Sequence, residues 1–152
     1  MVVTHGSLQP TSGRCALTIG NFDGVHRGHR ALIERVIAAG RESGLQSCLL
    51  TFEPHPREFF TPDAAPPRLA RLRDKLELLA ATGVDRVHVA RFNREFASLS
   101  APRFIEEVLV GGLGVRKLIV GRDFRFGAKR AGDFALLGEA AARQGLALEA
   151  MP

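Results

Sequence analysis

The sequence has 152 residues, 45% of them hydrophobic, with a formal net charge of +5 at pH 7 and a pI of about 10.2. This length and composition suit one globular domain. No apolar run approaches the length of a membrane span, and the N-terminus lacks the pattern of a signal peptide, so we expect a cytoplasmic protein with no membrane partner. The basic residues are spread along the chain, which favours a polyphosphate ligand over nucleic acid.

Two smaller groups of residues are interpreted as structural. The densest basic group, which runs from Arg68 to Lys75, is expected to form the solvated face of a helix. Cys15 and Cys48 each fall in a predicted strand and are expected to be small buried residues in a reducing compartment. Nothing in the sequence has the spacing of a zinc site.

Short apolar runs alternate with amphipathic helical patterns after a lead-in of about 13 residues. This alternation predicts an α/β fold, a Rossmann-like doubly wound parallel sheet of about five strands with right-handed crossovers. The predicted strands cover residues 14–20, 46–52, 86–92 and 115–121, and a fifth begins near Leu146. The predicted helices cover residues 26–43, 68–82, 93–98, 100–112 and 133–144.

The most informative stretch is GNFDGVHRGH at residues 20–29, between the first predicted strand and helix. A glycine-rich turn at this place holds phosphates in α/β proteins, although this one is neither a Walker loop nor a GxGxxG turn. His26 and His29 are three residues apart, so both imidazoles lie on one side of a helical turn, and Gly28 leaves room for a phosphate. Two such donors near a helix N-terminus suit charge that develops on phosphate in a transition state.

Three unusual loops are expected to meet at one edge of the sheet: residues 20–29, 53–67 and 121–132. If the strand order is 3-2-1-4-5, it reverses between the first and fourth strands, and ligands bind beyond the carboxyl ends of strands at such a reversal. The prolines of the second loop exclude regular structure there.

Some residues of the first two loops have two interpretations. Asp23 is either a turn residue or a group beside the phosphate or magnesium. His55, which lies between Pro54 and Pro56, is either a ligand of the substrate or a rigid element of the loop.

The third loop is equally open to two interpretations. Phe124 and Phe126 are either core residues or a stacking face for a flat ring. Arg125 and Arg130 are either solvated or make bidentate contacts with a phosphate.

Residues 20–29 resemble the HxGH signature of the nucleotidyltransferase superfamily. The longer form is similar to the adenylyltransferase module of prokaryotic bifunctional riboflavin kinase/FMN adenylyltransferases, the FAD synthetases. TFEPHP at 51–56 and GRDFRFG at 121–127, followed by RAG at 130–132, also resemble motifs of that family. Further matching segments lie at residues 75–79, 83–85 and 92–100, so the resemblance covers nearly the whole chain.

The resemblance implies adenylyl transfer from ATP to FMN, which gives FAD and pyrophosphate. It implies catalytic roles for His26 and His29, which would steady the triphosphate and the departing pyrophosphate. Mg²⁺ would bridge phosphate oxygens without a dedicated set of protein ligands. The residues implied to bind ATP or its phosphates are Gly20, Asn21, Phe22, Asp23 and Gly28. The residues implied to bind FMN are Pro54, His55, Pro56, Asp123, Phe124, Arg125, Phe126 and Arg130.

The sequence departs from the family pattern in two places. Arg68-Leu69-Ala70 lacks the hydroxyl of the family's Arg-Leu-Thr, and the family's Ser-Ser-Thr-x-Ile-Arg segment, which helps hold ATP, does not occur before Pro152. We therefore expect residues 1–152 to be an FMN adenylyltransferase domain truncated at its C-terminal end, which binds ATP weakly and turns over poorly. The riboflavin kinase domain is expected C-terminal to it in a full-length chain.

Three other functions stay open on the sequence. Another small-substrate nucleotidyltransferase, with pantetheine-phosphate or glycerol-phosphate as acceptor, would share the HxGH turn but not the PHP and DFRF segments. A non-catalytic flavin- or nucleotide-binding module is the second. An RNA-binding relative of HIGH-type tRNA synthetases is the third, and the lack of a KMSKS-like segment disfavours it.

Overall fold

A parallel sheet of six strands forms the centre of the structure. Its strands are Val2–His5 (β1), Cys15–Ile19 (β2), Gln46–Glu53 (β3), Arg86–Arg91 (β4), Val115–Gly121 (β5) and Ala147–Met151 (β6). They are arranged in the order β1-β4-β3-β2-β5-β6. This computed structural model describes residues 1–6, 14–23, 25, 27–61, 63 and 71–152.

Helices cover both faces of the sheet. They are Arg27–Ser43 (α1), Pro56–Phe60 (α2), Leu72–Ala80 (α3), Arg94–Ala97 (α4), Ala101–Arg103 (α5), which continues as a π-helix through Phe104–Gly112, and Phe134–Gln144 (α6). A 3₁₀ turn occupies Ala128–Arg130. Within the part of the chain that the structure describes, no helix combines the length and the apolar character needed to cross a membrane.

The predicted strand order is confirmed. The five predicted strands correspond to β2 through β6, and their order β4-β3-β2-β5-β6 is the predicted 3-2-1-4-5. The order in which successive strands are added to the sheet therefore reverses between the parallel neighbours β2 and β5. This places the loops after these two strands at the predicted site edge.

The predicted lead-in was wrong at its start, because Val2–His5 forms the edge strand β1 alongside β4. His88 of β4 fastens this strand: its Nδ1 lies 2.7 Å from Thr4 Oγ1 and its Nε2 lies 3.2 Å from the Gly6 carbonyl oxygen. Burial lowers the pKa of His88, which favours the neutral ring. A four-residue terminal strand has too short a pattern to be recognised in sequence.

The prediction that residues 53–67 lack regular structure was wrong for Pro56–Phe60, which form α2. Proline is well tolerated at the first helical position, where its missing N–H needs no partner. Residues 62 and 64–70 of this region lie outside the described residues, and so does the predicted start of the next helix, which is described from Leu72.

The core consists of two apolar layers, one on each face of the sheet. On one face the π-helix and α6 pack on β2, β3 and β5, and this layer includes both cysteines, which are free and buried as predicted. On the other face, α1 and α3 pack on β3 and β4 through Ile33, Leu49 and Leu79. Helices on both faces are the arrangement of a doubly wound α/β domain.

Candidate functional site

The glycine-rich turn continues directly from β2. The Gly20 N–H donates to the Leu50 carbonyl (3.0 Å), so the turn begins within the sheet's hydrogen bonding. Phe22 and Val25 have left-handed backbones, with φ of 53° and 42°, which is unfavourable for bulky and β-branched residues. Both side chains are buried in the layer formed with α1 and α3, and this burial offsets the backbone strain. The turn is thus anchored by apolar side chains on either side of Asp23.

A buried lysine of α3 is hydrogen-bonded to the same turn. Lys75 of α3 is only 8% exposed, and its Nζ donates to the Asn21 carbonyl (2.8 Å) and to Thr51 Oγ1 (3.1 Å). Thr51 Oγ1 in turn donates to the Asn21 carbonyl (3.2 Å). The prediction that the basic group from Arg68 to Lys75 is a solvated face was therefore wrong for Lys75, although it holds for Arg73, which is exposed.

His29 lies in the first turn of α1, as predicted, and Gly28 beside it is exposed. The His29 ring is partly buried and meets the edge of the Phe22 ring, with centroids 5.3 Å apart and planes at 67°. Phe22 thereby connects the anchored turn to the imidazole. His26 lies outside the described residues, so its position relative to His29 stays a prediction.

The loop after β3 begins with a cis Glu53–Pro54 peptide and leads directly into α2. The His55 carbonyl accepts a hydrogen bond from the Phe59 N–H (3.2 Å), which fixes the start of α2, and Pro56 is the first residue of that helix. His55 is partly buried at this junction. The PHP segment therefore forms a structured corner next to the turn.

Phenylalanine rings connect the loops that follow β3, β4 and β5. Sequence analysis missed this series, and the available signal was that all ten aromatic residues are phenylalanine. Phe92, directly after β4, contacts rings from α2, β3 and α4, and the series continues through the π-helix to the loop after β5. The rings in contact are Phe59, Phe60, Phe92, Phe52, Phe96, Phe104, Phe126 and Phe124, with centroids 5.2–6.1 Å apart.

In the loop after β5, the buried ring of Phe126 packs against the less buried ring of Phe124. Phe126 is 6% exposed and belongs to the core, which agrees with the core alternative for this residue. Phe124 is partly buried and stacks on Phe126, with centroids 5.7 Å apart and planes at 14°. Asp123 is exposed, and its Oδ1 lies so close to Gly121 that a β-carbon there would be only 2.9 Å away.

Two exposed arginines complete this loop. Among the described residues, Arg125 makes a single long ion pair, with Nη1 3.8 Å from Asp133 Oδ2, and Arg130 follows a tight bend at Gly127. Gly127 has φ of 78°, and a β-carbon there would lie 2.8 Å from the Ala101 backbone, so only glycine fits. Both guanidinium groups are accessible to a phosphate.

No metal-binding cluster was found where the structure could be searched: among the described residues, no three His, Cys, Asp or Glu side chains are grouped to hold an ion. Asp23 is the carboxylate carried by the turn itself.

The sheet order, the anchored turn at the point of reversal and the histidine at the start of α1 define a doubly wound α/β domain with its candidate site where the strand order reverses. The sequence profile of FAD synthetase matches residues 8–152, and the chain belongs to this family.

Proteins of known sequence are similar to this chain over most of its length. Two relatives are bifunctional riboflavin kinase/FMN adenylyltransferases: that of Pseudomonas fluorescens is 50% identical over 95% of this chain, and that of Escherichia coli K12 is 52% identical over 93%. The chain spans 46% and 45% of their lengths, which is about half of each.

Two solved structures share the fold. A crystal structure described as a macrolide-efflux protein from Streptococcus pneumoniae superposes with a TM-score of 0.80 at 20% identity, over 100% of this chain and 52% of the other. Pantothenate synthetase from Thermus thermophilus superposes with a TM-score of 0.52 at 17% identity, over 97% and 60%. At these identities the likeness concerns the fold alone.

Proposed function

We propose that this chain transfers the adenylyl group of ATP to FMN. A phosphate oxygen of FMN attacks the α-phosphorus of ATP, a new P–O–P linkage forms, and the bond to the bridging oxygen breaks as pyrophosphate leaves with its electron pair. The observation that carries the proposal is the anchored turn with His29 at the reversal of the sheet, in a chain of the FAD synthetase family. The name FMN adenylyltransferase borne by the relatives supports this choice of acceptor.

The turn would bind the triphosphate of ATP. Phosphoryl transfer depends mainly on positioning and on neutralising charge, so a turn held by buried residues suits it. His29, together with His26 as the sequence implies, would donate to the oxygens that become the pyrophosphate. The side-chain oxygen of Asn21 is buried and lacks a hydrogen-bond partner among the described residues, so this part of the turn holds an unsatisfied acceptor that a bound nucleotide would have to reach.

The loops after β3 and β5 would bind FMN. The partly buried Phe124, supported by Phe126, offers an aromatic face to the flavin ring. Arg125 and Arg130 would bind its phosphate, because guanidinium groups match phosphate geometry, and His55 lies at the corner where α2 begins.

Mg²⁺ is part of the proposal as a substrate-bound ion. Mg²⁺ usually binds through substrate phosphates, waters and one or two carboxylates, and Asp23 is the carboxylate that would hold it. When bound, the ion would neutralise phosphate charge. A riboflavin kinase module C-terminal to this region and a cytoplasmic location remain the predictions made from the sequence.

FAD formation tests the proposal directly. We expect the protein, incubated with FMN, ATP and Mg²⁺, to form FAD and pyrophosphate in equal amounts by chromatography. CTP in place of ATP, or pantetheine-phosphate in place of FMN, should give little product. Equilibrium titration with FMN, ATP and RNA separates the other functions: binding without FAD formation would indicate a binding module, and RNA binding alone would contradict the proposal.

A further inference from the structure

Lys75 carries a positive charge where the fold would otherwise place an apolar side chain. It lies in α3 between Leu72 and Leu79, three residues after the first and four before the second, and all three side chains face the same apolar layer. Burying an ammonium group is costly unless hydrogen bonds compensate it. A lysine at this position therefore indicates a specific task for its Nζ.

The hydrogen bonds of Lys75 connect two loops of the site. Its Nζ binds the Asn21 carbonyl in the turn after β2 and the Thr51 hydroxyl near the end of β3. Thr51 binds the same carbonyl, so the three groups form a closed triangle. Glu53, two residues after Thr51, ends β3 at the start of the PHP segment.

The orientation of the Asn21 carbonyl determines how the backbone of the turn continues into Phe22. It belongs to the peptide unit that precedes Phe22, whose left-handed backbone is unfavourable for its residue type. Two donors on that carbonyl fix the orientation of this peptide plane. The buried ammonium also adds positive charge beneath a turn that is proposed to bind a triphosphate, in surroundings where screening by water is weak.

We propose that Lys75 is a positioning residue that sets the ATP-binding geometry of the glycine-rich turn through the Asn21 carbonyl. The inference rests on the proposed function, because it assigns this role to the ATP side of that site. It predicts that loss of the lysine weakens ATP binding and leaves FMN binding unchanged. A merely structural role would instead lower the thermal stability and weaken binding of both substrates together.

Three variants separate these roles. Lys75→Met keeps an unbranched side chain one heavy atom shorter and removes the ammonium group, and Thr51→Val keeps the shape and removes the hydroxyl. Arg73→Met is the matched control, because Arg73 lies on the same helix but is exposed. The measurements are calorimetric titration with a non-hydrolysable ATP analogue and Mg²⁺, fluorescence titration with FMN, and the Tm.

We expect Lys75→Met to weaken ATP binding about tenfold or more, the size expected when hydrogen bonds from a charged group are lost. Thr51→Val should weaken it less, and the double variant should bind about as the Lys75→Met variant does, because both changes break one network. FMN affinity should stay within about twofold of the parent in every variant, and Arg73→Met should match the parent in both titrations.

The results distinguish failure of the inference about Lys75 from failure of the proposed function. If the parent binds ATP and Lys75→Met binds it equally well, the inference is overturned and the proposed function stands. Because the chain is expected to bind ATP weakly, the titrations extend to high nucleotide concentration, and if the parent shows no ATP binding there, both fail. Should Lys75→Met not fold, Thr51→Val decides: unchanged ATP affinity overturns the inference, and weakened ATP affinity with unchanged FMN affinity supports it.

Discussion

The turn after β2 and the loop after β5 lie on adjacent strands at the same edge of the sheet, yet they are built differently. The turn is anchored by its own buried side chains, Phe22 and Val25, and by the buried Lys75 of α3. The loop after β5 has a buried ring, Phe126, at its base, and its polar side chains, Asp123, Arg125 and Arg130, are exposed. Under the proposed function, the groups that would contact the reacting phosphate are fixed before binding, whereas the groups that would recognise FMN are free to adapt to it.

The largest effect should come from removing an anchor of the turn. Phe22→Ala empties a fully buried site and should lower the free energy of unfolding by about 3–5 kcal/mol. Phe60→Ala is the control, because Phe60 is 62% exposed and should change stability by no more than about 1 kcal/mol. Urea denaturation measures both. Similar losses in the two variants would show that the turn is not anchored in this way.

The next effect concerns catalysis. His29→Ala should reduce kcat for FAD formation about a hundredfold or more, as loss of a transition-state donor does, with little change in FMN affinity. Arg41→Ala, at the exposed C-terminal end of the same helix, should leave kcat unchanged. Steady-state kinetics provide the comparison, and near-normal turnover by His29→Ala would exclude the proposed role of this imidazole.

A smaller effect tests the base of the loop after β5. A β-carbon at Gly132 would lie 2.5 Å from the ring of Phe126, so Gly132→Ala should destabilise the protein by about 1–3 kcal/mol through overpacking. At Gly138 in α6 a β-carbon would meet nothing within 4 Å, and Gly138→Ala should stabilise by up to about 1 kcal/mol. Thermal denaturation distinguishes these opposite signs. A stabilising Gly132→Ala would mean that the base of this loop is not tightly packed.

The smallest effect concerns the exposed part of the same loop. Arg125 and Asp133 are each nearly half exposed and 3.8 Å apart, so Arg125→Ala should change the free energy of unfolding by no more than about 0.5 kcal/mol. The Tm of parent and variant, compared at low and high salt, provides the check. A larger, salt-sensitive loss would show that the loop is held by this ion pair, and the contrast with the turn would weaken.

Sequence patterns predicted the positions of five strands along the chain and the place of the turn, because apolar alternation and short glycine-rich connections are local signals, and the strand order assumed from the fold class is the one observed. They did not predict the burial and hydrogen bonds of Lys75, because its partners Asn21 and Thr51 are far away in sequence and only the fold brings them together. For the same reason the ring contacts of Phe92 were missed. The one local clue was a lysine within an otherwise apolar helical stripe.

The central proposal is that the turn after β2 binds ATP and the loop after β5 binds FMN. It is tested most directly by fluorescence titration of FMN with the parent, Phe124→Ala and His29→Ala. We predict that Phe124→Ala weakens FMN binding about tenfold, the size of a lost aromatic stacking contact, while His29→Ala binds FMN as the parent does. If Phe124→Ala binds FMN like the parent and His29→Ala binds it weakly, the flavin lies at the turn, and the account of the two regions is wrong.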